Sequence, residues 1–202
     1  EAQSIMNRMR QEKLEPDVVT CNAAISACGQ GARWREALGI LADLRHWRME
    51  ADLVSFNAAI SACDKAAQWP CALDLLVDAR EDQLVPDVVT YGAAISACAK
   101  AGLWHETTGL LSEIWQRRLE RSVILCSAAI SACGKGSRWQ EALGVLAQMR
   151  SDRVQANVIS YNAVIGACGQ GSRWQEALRS FVQLCQGRLL PTHVSCNAAI
   201  SA

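Results

Sequence analysis

Apolar residues along the chain follow two alternating helical patterns, and the pair of patterns repeats. Val18, Cys21, Ile25 and Cys28 stand at offsets of 0, 3, 7 and 10, which places them on one face of an α-helix. After a short break, Trp34, Ala37, Leu38, Leu41 and Leu44 mark a second helix. The wording then returns 35 residues later: N-A-A-I-S-A-C at Asn22–Cys28 and Asn57–Cys63, G-A-A-I-S-A-C at Gly92–Cys98, S-A-A-I-S-A-C at Ser127–Cys133 and N-A-V-I-G-A-C at Asn162–Cys168. A fixed period of this length predicts an all-α fold, a right-handed α-solenoid of stacked antiparallel helix pairs. Neither helix is long enough to be stable alone, so stacking must supply the core.

The period divides the chain into repeats at 18–52, 53–87, 88–122, 123–157 and 158–192, with part of a repeat at each end, 1–17 and 193–202. Glu1–Arg10 aligns with Glu36–Arg45, so Ile5, Met6 and Met9 stand where Ile40, Leu41 and Leu44 do. The sequence therefore reads as a segment of a longer protein, without the targeting peptide the whole could carry.

Punctuation agrees with the helices. Asp17, Asp52, Asp87, Ser122, Asn157 and Thr192 each precede a first helix and suit the N-cap. Pro16, Pro86 and Pro191 end the preceding element, and Pro70 suits a first helical position. Glycines at 29, 31, 102, 136 and 171 mark the breaks. The second repeat has Asp64, Lys65, Ala66 and Ala67 there, and its turn is expected to cost more. Ala23-Ala24 and their equivalents are expected to let first helices approach closely. The tryptophans at 34, 69, 104, 139 and 174 open the second helices. They read as inter-repeat wedges or as platforms for bases, and their place at the head of the apolar row favours the wedge.

Composition narrows the function classes. Twenty basic residues balance twenty acidic ones, so any basic surface must come from arrangement. No apolar run reaches the length of a membrane span. Of ten cysteines, Cys28, Cys63, Cys98, Cys133 and Cys168 recur once per repeat. Stacked helices sit about 10 Å apart, beyond the roughly 7 Å Cα separation a disulfide tolerates, so these are expected to be buried thiols. His46, His105 and His193 share no face, no zinc-ligand spacing occurs, and Glu36, Glu106, Glu141 and Glu176 suit helix N-termini. No enzyme, cofactor or small-molecule site is expected.

A second row on the first helix is small, polar and aligned. It begins with Val19, Val54, Val89, Ile124 and Ile159, continues with Asn22, Asn57, Gly92, Ser127 and Asn162, and ends with Ser26, Ser61, Ser96, Ser131 and Gly166. Near its edge lie Gln30, Lys65, Lys100, Lys135 and Gln170. Stacking would turn the row into a groove able to hold an extended polymer.

The 35-residue period, P-D-V-V-T-Y at Pro86–Tyr91, N-A-A-I-S-A-C-x-K at Asn57–Lys65 and the E-A-L of the second helices resemble pentatricopeptide repeats of the uniform class. The tetratricopeptide alternative has a period of about 34 and a different signature. The resemblance implies sequence-specific binding of single-stranded RNA, one base per repeat, in a chloroplast or mitochondrion. It implies that bases are sandwiched by Val19, Val54, Val89, Ile124 and Ile159. The fifth and last residues of a repeat would read each base edge: Asn22 with Asp52 and Asn57 with Asp87 for uracil, Ser127 with Asn157 for adenine, Asn162 with Thr192 for a pyrimidine. Gly92 with Ser122 would leave one slot unread, giving 5′-U-U-N-A-Y-3′. Lys65, Lys100 and Lys135 match the family's phosphate-facing position, where solvated loop lysines are an equal reading; Gln30 and Gln170 depart from it. Asp52 and Asp87 can cap and read together, because a carboxylate has two oxygens. A protein-interaction scaffold is the competing class, favoured by the neutral charge and the Gly92 slot.

Overall fold

The computed structural model describes residues 17–47, 49–187 and 189–202. The readings placed on Glu1–Pro16 lie outside them. The described residues form eleven helices: α1 (Val18–Gln30), α2 (Trp34–His46), α3 (Leu53–Lys65), α4 (Trp69–Glu81), α5 (Val88–Ala101), α6 (Trp104–Gln116), α7 (Val123–Lys135), α8 (Trp139–Ser151), α9 (Val158–Gln170), α10 (Trp174–Gln186) and α11 (His193–Ile200). First helices begin every 35 residues, as the period requires. No helix among the described residues is long and apolar enough to cross a membrane.

The described residues fall into two compact units, one within 1–97 and the other within 98–202. In the first, α1 packs on α2 and α3, and α3 on α4. In the second, α7 packs on α8 and α9, and α9 on α10 and α11. Each unit is thus a stack of helix pairs in which one first helix lies on the next.

The N-caps follow the sequence. Side-chain oxygens of Asp17, Asp52, Asp87, Ser122, Asn157 and Thr192 each accept from a backbone N–H two or three residues on. These bonds satisfy donors that a helix start leaves unpaired. Pro70 sits in the first turn of α4, where its missing N–H costs nothing.

Ile25, Ile60, Ile95, Ile130 and Ile165, at the middle of α1, α3, α5, α7 and α9, are fully buried, as are Cys63, Cys98, Cys133 and Cys168, with Cys28 nearly so. All ten cysteines are free. Burial pushes the Cys63 thiol up to about 12 and those of Cys98, Cys133 and Cys168 up to about 11, so they remain neutral fillers at physiological pH.

Two local expectations are corrected, and the one on the alanine pairs is refined. In α2 the buried face is Ala37, Ile40, Leu41 and Leu44, with Trp34 and Leu38 only half-buried. The seam faces both its own first helix and the next one, which widens it beyond a single offset row. In the alanine pairs of α3, α5 and α7, the second member (Ala59, Ala94, Ala129) is buried, while the first is only half-buried. Further along the helix, a Cβ added to Gly29 would lie 3.4 Å from Ala62 Cβ, and one added to Gly134 3.5 Å from Ala167 Cβ. Neighbouring first helices therefore come close at these points.

The turns differ from the glycine reading. The left-handed residue is Ala32, Ala67, Gly102, Ser137 or Ser172, so four of the five turns place an L side chain in that region. The glycine-free second turn is no worse than the first, fourth and fifth. Gly136 and Gly171 serve another purpose. A Cβ on Gly136 would stand 2.4 Å from Trp104 Cδ1, and one on Gly171 2.5 Å from Trp139 Cδ1. These tryptophans wedge against the next repeat's turn, and Arg138 and Arg173 cover their rings at 4.5 and 5.0 Å. Packing, not base stacking, is what the structure shows them doing.

Candidate functional site

The second row is built by the first two turns of each first helix. Val19, Val54 and Val89 in one unit, and Ile124, Ile159 and Val194 in the other, are 59–74% exposed. A β-branched side chain left in water at the same register of every repeat gains nothing from the core. It does present a stiff apolar surface.

Beside each valine in the first unit lies an amide–carboxylate pair. Asn22 Nδ2 donates to Asp52 Oδ1 at 3.1 Å, and Asn57 Nδ2 to Asp87 Oδ1 at 3.4 Å. The residues are 30 apart in sequence and meet because one repeat's first helix lies on the next repeat's cap. The same Oδ1 atoms cap α3 and α5 through Ser55 N and Thr90 N. Capping and pairing therefore coexist on one oxygen, and the other carboxylate oxygen is left over.

Burial raises the Asp52 and Asp87 carboxyls. Hydrogen bonds from the Ser55 and Thr90 backbones and hydroxyls and from the Asn22 and Asn57 amides outweigh it, and both pKa values lie below the ordinary 3.8. A folded-state value depressed in this way adds stability that is complete above the unfolded value and is lost as pH falls through the folded one. The melting temperature is therefore expected to hold between about pH 7 and 5 and to drop below about pH 4, with Asp52→Asn and Asp87→Asn flattening the acid limb. A midpoint that falls already between pH 7 and 5 would contradict this.

The second unit is arranged differently. Ser127 does not bond Asn157. Its hydroxyl donates to the Val123 carbonyl at 2.8 Å and lies 2.7 Å from Ser160 Oγ, which also donates to Asn157 Oδ1 at 3.1 Å. Asn162 Nδ2 reaches Thr192 Oγ1 only at 3.5 Å, and Asn162 Oδ1 is buried without a partner. Ser122 Oγ accepts from Ile124 N, and Gly92 offers no side chain.

Of the expected phosphate-facing residues, Lys65 is exposed on the last turn of α3. Lys135 instead donates from Nζ to the carbonyls of Ala99 and Lys100, both at 2.9 Å. It neutralises the negative end of the preceding first helix. Among the described residues no group of His, Cys, Asp and Glu is placed to hold a metal.

Sequence reasoning missed a set of residues here. Ser55, Thr90, Ser160 and Ser195 occupy the third position of their repeats and are fully buried. Their signal was available: Thr20, Ser55, Thr90, Ser160 and Ser195 recur at the same period on a helix otherwise filled with apolar side chains. Val194 extends the exposed row and was also overlooked.

The chain matches the pentatricopeptide repeat domain over residues 1–31, 39–101 and 109–171, and the PPR repeat over 19–48, 89–119 and 159–186. It belongs to the pentatricopeptide repeat family. Among curated proteins none matches it. Solved structures do. The pentatricopeptide repeat protein PPR10 from maize aligns with a TM-score of 0.74 at 26% identity, over 98% of this chain and 28% of that one. PPR10 in complex with an 18-nt psaJ RNA element aligns with a TM-score of 0.67 at 23% identity, over 99% and 33%. The PPR domain of Arabidopsis thaliana protein-only RNase P 1, in complex with tRNA, gives 0.75 at 12% identity, over 86% and 91%. The chain thus spans about a third or less of the PPR10 chains it matches.

Proposed function

We propose that this pentatricopeptide array binds single-stranded RNA sequence-specifically, one base per repeat, with a register near 5′-U-U-N-A-Y-3′, as a non-catalytic element of organellar RNA processing, stability or translation. The observation that carries this reading is the pairing of Asn22 with Asp52 and of Asn57 with Asp87 beside the exposed Val19, Val54 and Val89. An amide that gives one N–H to a carboxylate keeps a second N–H and a carbonyl lone pair. That donor–acceptor pair complements the N3–H and O4 of uracil. The exposed valines and isoleucines supply the apolar faces between which a base can lie.

Support also comes from relatives of the same fold whose structures hold an 18-nt RNA element or tRNA. The backbone contribution is modest here. Lys65 is exposed, Lys135 is engaged on the carbonyls of Ala99 and Lys100, and the net charge is zero. Each phosphate contact adds about −0.7 to the slope of log K against log salt for a single strand, so a shallow slope is expected.

Binding of the chain to a U-U-N-A-Y oligonucleotide beside a scrambled one, across a salt series, tests the reading. Preference for the matched strand with a shallow salt slope is expected. Equal affinity for both strands removes the base-reading claim, and no binding at low salt points to a protein-interaction scaffold instead.

A further inference from the structure

Two of the asparagines proposed to read bases are held from both sides, and the third is not. Asn57 gives an Nδ2 hydrogen to Asp87, while its Oδ1 accepts from the Thr90 hydroxyl at 2.6 Å. Asn22 is held in the same way, by Asp52 through Nδ2 and by the Ser55 hydroxyl through Oδ1. Each of these hydroxyls belongs to the repeat after the reader, 33 residues on. Each hydroxyl also reaches the Oδ1 of its own cap, at 2.9 Å for Ser55 to Asp52 and 2.8 Å for Thr90 to Asp87, so its one proton is shared between carboxylate and amide oxygen. The ionised carboxylate only accepts and turns Nδ2 toward itself, and a proton given to Oδ1 holds that same orientation.

The fifth repeat lacks this clamp. Ser195 Oγ accepts from the Thr192 backbone N–H at 3.0 Å and lies 3.1 Å from its hydroxyl. Thr90 Oγ meets the Asp87 backbone N–H and side chain in the same way, but Ser195 makes no bond to the amide of Asn162. Asn162 is left with a 3.5 Å bond to the Thr192 hydroxyl and a buried Oδ1 that nothing satisfies. Thr192 can donate or accept, so it does not choose which end of the amide it meets. The sequence carries a related correspondence. The single third position without a hydroxyl is Leu125, and the fifth position one repeat before it is Gly92, which has no side chain to orient.

Amide polarity has a chemical consequence. Uracil presents N3–H as donor and O4 as acceptor, whereas cytosine presents N3 as acceptor and its amino group as donor. A half-turn of the amide exchanges Nδ2 and Oδ1 and so exchanges the preferred pyrimidine. We propose that the hydroxyl at the third position of a repeat is a specificity-setting, positioning residue for the asparagine of the repeat before it. Ser55 and Thr90 make the Asn22 and Asn57 slots choose uracil over cytosine. The Asn162 slot, without that donation, takes either pyrimidine. This rests on the RNA-binding reading proposed above.

The test measures affinities of the whole chain for oligonucleotides carrying U or C at one slot at a time. In the wild type, U is preferred at the Asn22 and Asn57 slots, and the ratio at the Asn162 slot is near one. Thr90→Val keeps the shape and removes the hydroxyl; it is expected to lower the U-to-C ratio at the Asn57 slot about fivefold, the effect of one hydrogen bond. The ratio at the Asn22 slot should stay unchanged, and Thr90→Ser should restore the Asn57 slot. Because the Thr90 hydroxyl also accepts from Asp87 N, a melt accompanies each variant. Should Thr90→Val unfold, Ser55→Ala carries the same measurement at the Asn22 slot. A folded variant that weakens all oligonucleotides equally while keeping both ratios overturns the proposal, since the hydroxyl is then only structural. A wild-type chain blind to sequence at every slot overturns the RNA reading itself, and does so before any variant is made.

Discussion

Converting the second slot, Asn57→Ser together with Asp87→Asn, is expected to move its preferred base from uracil to adenine. The size of the change follows from what each base meets. The native pair offers an amide edge oriented by an ionised carboxylate. The replacement offers the residue types of the fourth repeat, where Ser127 and Asn157 are joined through Ser160 rather than to each other. Thr90 remains in place to fill the part of Ser160. A wrong base at one well-read position costs about 1–3 kcal/mol, and the reversal counts that discrimination once in each protein, so the U-to-A ratio should change by roughly 1.5 to 4 orders of magnitude across the pair of proteins. Oligonucleotides varied at that slot alone, titrated at one fixed salt concentration, give the ratio directly. An unchanged preference would show that the fifth and last residues do not read bases in this chain. Both substitutions keep a capping or small polar residue at its place, so a loss of folding is not the expected explanation of any change.

Ile130→Ala is expected to lower the unfolding free energy by about 2–5 kcal/mol. Ile130 is fully buried in the middle of α7, between the helices that α7 packs against on either side. A stacked repeat contacts only its neighbours, so the cavity cannot be filled by a distant rearrangement and the loss is felt by the stack as a whole. Ser131→Ala is the matched control: one residue on, it lies on the exposed side of the same helix and should stay within about 0.5 kcal/mol of wild type. Urea denaturation of both variants makes the comparison. Similar midpoints for the two would mean that the isoleucine row is not the core of the second unit. At temperatures where the variant is folded, its base preference should be that of the wild type, because Ile130 does not line the polar row.

How far the two predictions could be made from residues alone differs. The role of Ile130 is written in the offset pattern, since a buried row at helical spacing is a local property of the sequence. The partner of Asn57 is not. Asp87 lies 30 residues away, and the Thr90 hydroxyl that completes the clamp lies 33 away. Those distances close only when the next repeat is laid on the first. The tryptophans show the same division. Their place at the head of the second helix is legible, whereas their seat against Gly136 and Gly171 depends on how neighbouring turns meet. Lys135 is a further case. Its register position suits a phosphate, but its ammonium is used on the carbonyls of Ala99 and Lys100, an alternative that no spacing rule separates from the first.

The sequence by itself determined the helices, their caps, the 35-residue period, the buried isoleucine and cysteine rows, and the family. Each of these follows from residue type and local spacing, which do not depend on what comes to lie alongside. Only the tertiary structure decided which asparagines are clamped. Three of the five repeats carry asparagine at the fifth position, and they look alike in one dimension. They differ in what the next repeat's hydroxyl reaches. Those of Ser55 and Thr90 reach both their own cap and the amide oxygen of the preceding repeat, while that of Ser195 reaches Thr192 and leaves Asn162 Oδ1 without a partner.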